Sequence, residues 1–165
     1  QLFPDSGLHG GGMHIHSSGG NLNPHLDYSI HPKLKLQRKV NLIYYCSSDV
    51  NFLKSDTGHL GFWSGDNISP SNLVKSIKPS FNRAVLFDTT QDSWHGLKSQ
   101  LPSGSNFLRK SLASYYLTLP SQSASRRTRA LFAPRENQID NAKIKDEILN
   151  RSSESTFSST YITKK

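Results

Sequence analysis

Through the first 120 residues the apolar positions follow a period of two, and clusters of turn residues interrupt the pattern every few positions. The first alternating segment is short, Met13-His14-Ile15-His16. It lies between loops dense in turn formers, Asp5-Ser6-Gly7, Gly10-Gly11-Gly12 and Ser17-Ser18-Gly19-Gly20. Further strands are predicted over 22–28, 38–46, 60–63, 73–78, 83–87 and 107–118, the last stopped by Pro120. Within 38–46, alternation puts Asn41, Ile43 and Tyr45 on one face and Val40, Leu42 and Tyr44 on the other. Within 107–118, Arg109, Ser111, Ala113 and Tyr115 share a face. Leu108, Leu112 and Leu117 do not fit a single opposite face, which predicts a bulge or twist there. Helical spacing emerges only over 138–150, where Ile139, Ala142, Ile144, Ile148 and Leu149 predict a C-terminal helix.

Short strands, many turns and one terminal helix predict a mainly β fold, a jelly roll or related β-sandwich. The 165 residues suit one domain and show no internal repeat. The core is expected over 1–120, followed over 121–165 by a basic linker (121–137), the helix and a Ser/Thr-rich tail.

Charge narrows the partners but does not choose among them. The formal net charge is +8, and residues 121–165, with nine Lys/Arg and five Asp/Glu, account for only half of it. A positive surface of this extent favours anionic partners, whether nucleic acid, acidic protein or a dicarboxylate, and also serves simply to keep a protein soluble. The single cysteine, Cys46, excludes an internal disulfide and a thiolate metal cluster and fits a reducing, cytoplasmic setting. No apolar run approaches a membrane span. The first residues carry no basic region followed by an apolar stretch, so no signal peptide is expected in this chain.

The chemistry concentrates around Asn23-Pro24-His25-Leu26-Asp27-Tyr28. In a strand His25 and Asp27 project to one side, and a second imidazole from His95 would complete a set of two His and one carboxylate with coordination positions left open. His14 and His16 also share a face and form a competing His-x-His pair of the cupin type, which His95 would complete. The same parity turns Asn41, Tyr45, Arg109 and Ser111 toward the lumen. Burying so polar a set without a ligand would cost several kcal/mol, so a bound metal and anion is an economical explanation.

In order along the chain, His25-x-Asp27, Arg38-x-x-Asn41-Leu42-Ile43-x-Tyr45, Gly58-x-Leu60, Asn82-Arg83-Ala84-Val85-Leu86-Phe87, Ser93-Trp94-His95-Gly96 and Arg109-x-Ser111 resemble the Fe(II)- and 2-oxoglutarate-dependent dioxygenases, specifically the prolyl-4-hydroxylase-like branch. The resemblance covers about residues 8–120. It implies a double-stranded β-helix in which His25, Asp27 and His95 hold Fe(II). It also implies 2-oxoglutarate as cosubstrate, its far carboxylate on Arg109, Ser111 and Tyr45 and its near carboxylate within reach of Asn41, with ascorbate as a reductant. Fe(II), Asp27, the cosubstrate dianion and Arg109 together would be neutral. The implied reaction hydroxylates an unactivated C–H bond, of a prolyl or other residue or of a small molecule, and releases succinate and CO2. Trp94 is expected either to wall the pocket or to pack in the core.

The family usually has a helical region packed on the outer sheet ahead of the glycine-rich lead-in, and this chain begins almost at the lead-in. A missing N-terminal segment, a partner subunit or the C-terminal helix is therefore expected to cover the sheet. Nucleic-acid dealkylation is demoted because the second Arg expected six residues past Arg109 is Tyr115. Two other readings are a non-catalytic β-sandwich binding module and a cupin-like metal protein.

Overall fold

The computed structural model describes residues 1–48, 56–89, 92–104 and 106–152. Its ten strands form two antiparallel five-stranded sheets. Sheet one contains β1 (Phe3–Pro4), β2 (Gly12–His16), β4 (Gln37–Tyr45), β7 (Ala84–Asp88) and β9 (Arg109–Thr118). Sheet two contains β3 (His25–Leu26), β5 (Leu60–Gly65), β6 (Pro70–Ile77), β8 (Trp94–Leu97) and β10 (Leu131–Phe132). In sheet one, β9 is central: β1 and β2 pair along one of its edges and β4 along the other, with β7 beyond β4. Sheet two runs β10-β3-β8-β5-β6. This is the expected double-stranded β-helix, or jelly roll, followed by one C-terminal helix, α1 (Ala142–Ser152).

Apolar side chains from both sheets meet between them. Tyr45 and Val85 of sheet one pack with Leu60 of sheet two, and Ile43, Phe62, Ile77 and Phe87 close around them. A second cluster, Leu26, Trp94 and Ala133, sits under Trp63 and Leu131. Trp94 is wholly buried there and donates its indole N–H to the Asp66 carbonyl at 2.7 Å, so of its two expected places it takes the core.

Several elements differ from the sequence expectation, each for a local reason. The strand predicted over 22–28 is reduced to His25–Leu26. Pro24 has no N–H to give to a ladder, and past Asp27 the N–H groups of Ser29 and Ile30 both turn to the Arg127 carbonyl. The bulge expected in 107–118 is absent. β9 alternates regularly, with Arg109, Ser111, Ala113, Tyr115 and Leu117 inward and Leu112 outward. The irregularity lies instead in its partner, where the register slips between Arg38 and Val40 of β4. That slip turns Arg38 inward, three residues from the equally inward Asn41, against the simple parity of the strand.

The stretch read as a basic linker, 121–137, lies against the core. Its Leu131 and Phe132 pair with Leu26 and His25 and add a strand to sheet two. The helix begins at Ala142, preceded by a single 3-10 turn over Glu136–Gln138. Asn141 caps it, its side-chain oxygen accepting the Ile144 N–H at 3.2 Å. The helix packs on β10 of sheet two, so among the described residues it leaves the outer face of sheet one, with Met13, Leu112 and Leu86, exposed. The Ser/Thr-rich tail from 153 onward lies outside the described residues.

Candidate metal centre

His25 and His95 are directly paired across β3 and β8, which places their rings 4.3 Å apart. That approach depends on Gly96: a Cβ there would lie 2.7 Å from the Asn23 carbonyl oxygen and 2.9 Å from that of Leu22, closer than side chains tolerate. Asp27 completes the group. Among the described residues, His25, Asp27 and His95 are the one set of three potential ligands whose donor atoms converge, all within 4.8 Å of one another.

Both imidazoles are oriented alike. His25 Nδ1 lies 2.9 Å from the Asn23 carbonyl oxygen and His95 Nδ1 lies 2.9 Å from that of Ser93, each two residues back along its own chain. A carbonyl only accepts, so each Nδ1 carries the proton and each Nε2 presents its lone pair inward. The two Nε2 atoms face Asp27 at 3.8 and 3.7 Å, beyond hydrogen-bond reach. Burial, reinforced by His95, pushes the His25 imidazole down to about 4, so it is neutral near pH 7 and its contact with Asp27 is not an ion pair.

The carboxylate is held just as firmly. Arg38 Nη1 stands 3.0 Å from Asp27 Oδ2, and the Asn41 amide donates to the same oxygen at 3.4 Å. Burial pushes the Asp27 carboxyl up, but Arg38, His95 and His25 together outweigh it and hold it down at about 2. Two neutral Nε2 lone pairs and one ionised carboxylate facing a common space fit an octahedral divalent metal with open positions, the donor set typical of non-haem Fe(II). Asn41, expected within reach of a cosubstrate carboxylate, has its amide on Asp27.

A second polar group lies between Tyr45 at the end of β4 and the start of β9. Arg109 is buried, donates from Nε to the Gly58 carbonyl at 2.9 Å and from Nη2 to the Tyr45 hydroxyl at 3.3 Å. No ion pair to Arg109 forms among the described residues, and burial pulls its guanidinium below the usual arginine range. Ser111, also buried, is opposite Tyr45 in the ladder. Arg109, Tyr45 and Ser111 are thus brought together as expected from parity, around a cation with unused donors.

His14 and His16 pair with Ser111 and Arg109 in the neighbouring ladder. They do not join His95 in a ligand group, which leaves the cupin-type arrangement unassembled among the described residues. They line instead a cavity of about 730 Å³ that opens on His25 and Asp27. The same cavity is lined by Phe132, whose ring stacks on His25 with centroids 5.0 Å apart, and by Arg129 and Arg151.

Strand parity and motif spacing single out neither Phe132 nor Arg129 nor Arg151, and Arg38 enters only as one position of a motif. The Leu131-Phe132 pair inside a polar stretch was the available signal for the short strand. Arg38 also changes the charge of the site. Its full positive charge beside Asp27 makes a centre with Fe(II) and 2-oxoglutarate positive by one, where the count without it is neutral.

The model of the 2OG-Fe(II) oxygenase superfamily matches residues 11–117, and the chain belongs to that family of Fe(II)- and 2-oxoglutarate-dependent dioxygenases. No curated protein matches it. Among solved structures it is similar to a prolyl 4-hydroxylase from Phytophthora capsici, with 20% identity and a TM-score of 0.44, over 85% of this chain and 41% of that one. The chain therefore spans less than half the length of that protein. No helix among the described residues is long and apolar enough to cross a membrane.

Proposed function

We propose that this chain hydroxylates an unactivated C–H bond at the centre formed by His25, Asp27 and His95, as a member of the prolyl-4-hydroxylase-like branch, with a prolyl or other amino-acid residue or a small molecule as substrate. The observation that carries the reading is the common orientation of the two imidazoles, each fixed through Nδ1 on a carbonyl so that Nε2 meets the Asp27 carboxylate. Bound Fe(II), with O2 and 2-oxoglutarate, supplies the oxidation that converts C–H to C–OH and the cosubstrate to succinate and CO2.

The chain's own residues have separable tasks. His25, Asp27 and His95 would hold the ion and, being only three ligands, would leave coordination positions for cosubstrate and O2. Arg109 offers a fork of donors to the far carboxylate of 2-oxoglutarate, with the Tyr45 hydroxyl already turned to the same guanidinium and Ser111 beside it. Burial strengthens that pairing by excluding water. Arg38 and Asn41 keep Asp27 ionised and oriented, which raises the precision of the ligand set. Phe132 covers one face of the His25 ring.

The test requires no substrate. Protein loaded anaerobically with Fe(II) is titrated with 2-oxoglutarate while the weak visible metal-to-ligand charge-transfer band is followed. A band in wild type that needs far more cosubstrate in Arg109→Ala supports the reading. Iron-loaded protein that gives no band refutes it.

A further inference from the structure

We propose that His16 is a further binding residue for 2-oxoglutarate, its Nδ1–H donating to the far carboxylate that Arg109 holds. The inference rests on the Fe(II)/2-oxoglutarate reading of the centre and adds to it a donor from the strand on the other edge of β9 from Tyr45.

Strand register brings the imidazole to this place. β2 and β4 flank β9 on opposite edges, and the two ladders pair His16 with Arg109, His14 with Ser111, and Tyr45 with Ser111. Directly opposed residues of an antiparallel pair point to the same face, with Cβ atoms about 4.5–5.5 Å apart. Arg109 and Ser111 face inward, so His14 and His16 do the same, while Met13 and Ile15 are more than half exposed. The inner face of sheet one therefore carries a polar patch across three strands, with Tyr45, Ser111 and His14 in one row and Arg109 and His16 in the next.

Two members of this patch lack a partner that one carboxylate would supply. His16 lines the cavity of about 730 Å³ and is half-buried as a residue, yet its Nδ1 is itself buried and has no hydrogen-bond partner among the described residues. A polar atom taken out of water without a partner is destabilising, and a bound ligand is one of the things that relieve it. Arg109 is the complementary case, a buried guanidinium that meets the Gly58 carbonyl and the Tyr45 hydroxyl but no carboxylate among the described residues. Burial, then the nearby Arg109 cation, pushes the His16 imidazole down to about 4, so the ring is neutral near pH 7 and does not repel the guanidinium. A neutral imidazole carries a single N–H. A carboxylate on Arg109 accepts that proton's hydrogen bond and selects the tautomer protonated at Nδ1. Its two oxygens offer about four lone-pair sites, enough for the guanidinium fork, the Tyr45 hydroxyl and the imidazole together.

The test uses the full chain loaded anaerobically with Fe(II) and titrated with 2-oxoglutarate while the charge-transfer band is followed. His16→Leu should raise the dissociation constant about tenfold or more, as expected when a hydrogen bond to a charged group is lost, and should leave Mn(II) affinity within about twofold of wild type. His16→Asn, whose amide N–H can take the place of Nδ1–H, should bind 2-oxoglutarate to within about threefold of wild type. A second measurement needs no functional variant. In Zn(II)-loaded wild-type protein, 2-oxoglutarate should bring out a slowly exchanging imidazole Nδ1–H proton resonance, identified as that of His16 by its absence in His16→Asn. Oxalate, which has the chelating end alone, should not bring it out. Unaltered 2-oxoglutarate affinity in His16→Leu, equal weakening of metal and cosubstrate, no rescue by Asn, or a resonance that is missing with 2-oxoglutarate or present with oxalate would overturn the proposal. Absence of the charge-transfer band in iron-loaded wild type would instead refute the underlying reading of the centre.

Discussion

Arg38 and Asp27 form a buried ion pair, Nη1 to Oδ2 at 3.0 Å, and the guanidinium is clamped between the rings of Tyr28 and Tyr115, whose centroids lie 3.5 and 3.3 Å away. Its second amino group donates to the His9 carbonyl at 3.0 Å. Both faces and both amino groups of this cation are thus engaged, its Nε finds no hydrogen-bond partner among the described residues, and the carboxylate it holds is the one acidic ligand of the candidate centre. Burial alone would pull the Arg38 guanidinium down, but Asp27 and the two tyrosines outweigh it and raise it.

Replacing Arg38 with Gln keeps a donor and removes the charge. Asp27 then loses its strongest support against burial, and metal affinity should fall by about 10–100-fold, as is usual when a partner that orients a ligand is removed. Competition against a chelator of known affinity, with Mn(II) as the probe, reads this directly. Unaltered affinity in a folded Arg38→Gln protein would show that Asp27 needs no such partner. Arg38→Lys should recover part of the loss, because it restores the charge without the flat surface that stacks on two rings.

The Tyr45 hydroxyl is turned toward Arg109, and its loss should weaken 2-oxoglutarate binding while leaving the metal in place. A hydrogen bond to a charged group contributes about 1.5–3 kcal/mol, so Tyr45→Phe should raise the 2-oxoglutarate dissociation constant by roughly tenfold to a hundredfold. Metal affinity should stay within about twofold of wild type. If Tyr45→Phe weakens metal and cosubstrate equally, the hydroxyl supports the fold of the site and does not bind the carboxylate.

Much of this arrangement was legible in the sequence because strand parity is a strong constraint. Alternation alone put Asn41 and Tyr45 on one face of β4 and Arg109 and Ser111 on one face of β9, and all four are buried between the sheets. Parity failed where the ladder is irregular. The slip beside Lys39 reversed the facing of Arg38, and a bulge in one strand leaves no mark when that strand is read by itself. Two-residue strands were equally hard to see. β3 carries a metal-ligand candidate and β10 covers it, yet neither is long enough to display a period, and both depend on pairing across more than a hundred residues of sequence.

Two imidazoles make the metal-free protein sensitive to acid. Burial, then His95, pushes His25 down to about 4; burial, then Arg109 and His14, does the same for His16. For a histidine whose folded pKa is below its unfolded value, the stabilisation is complete above the unfolded pKa of about 6.5 and is lost as pH falls toward the folded one. Urea unfolding of the metal-free protein should therefore show stability declining between about pH 6.5 and 4. His25 contributes up to about 3 kcal/mol and the less buried His16 less. His16→Gln should flatten part of that decline, and a profile identical to wild type would show that His16 is protonated without penalty. Asp27 acts in a lower window: held down at about 2, it loses its contribution only below about pH 3.8.

Gly96 sets the spacing on which the ligand group depends. The backbone of residues 22 and 23 passes so close to it that an added methyl group would meet two carbonyl oxygens and a carbonyl carbon, all within 2.9 Å. None of these is the end of a flexible side chain, so Gly96→Ala must push β8 away from the segment leading into β3. The displaced atoms include the Asn23 carbonyl that orients His25, and β3 and β8 are in register through the pairing of His25 with His95. The substitution should cost about 1–3 kcal/mol in stability, in the range of other overpacked sites. Its effect on metal affinity should be larger than that cost alone predicts, because one ligand moves relative to another. A control at Gly104, where an added Cβ meets nothing within 4 Å but φ is +76°, should lose stability through backbone strain and leave metal affinity unchanged. If the two variants lose metal affinity in proportion to stability, the close approach at Gly96 serves packing alone and the geometry of the centre is set elsewhere.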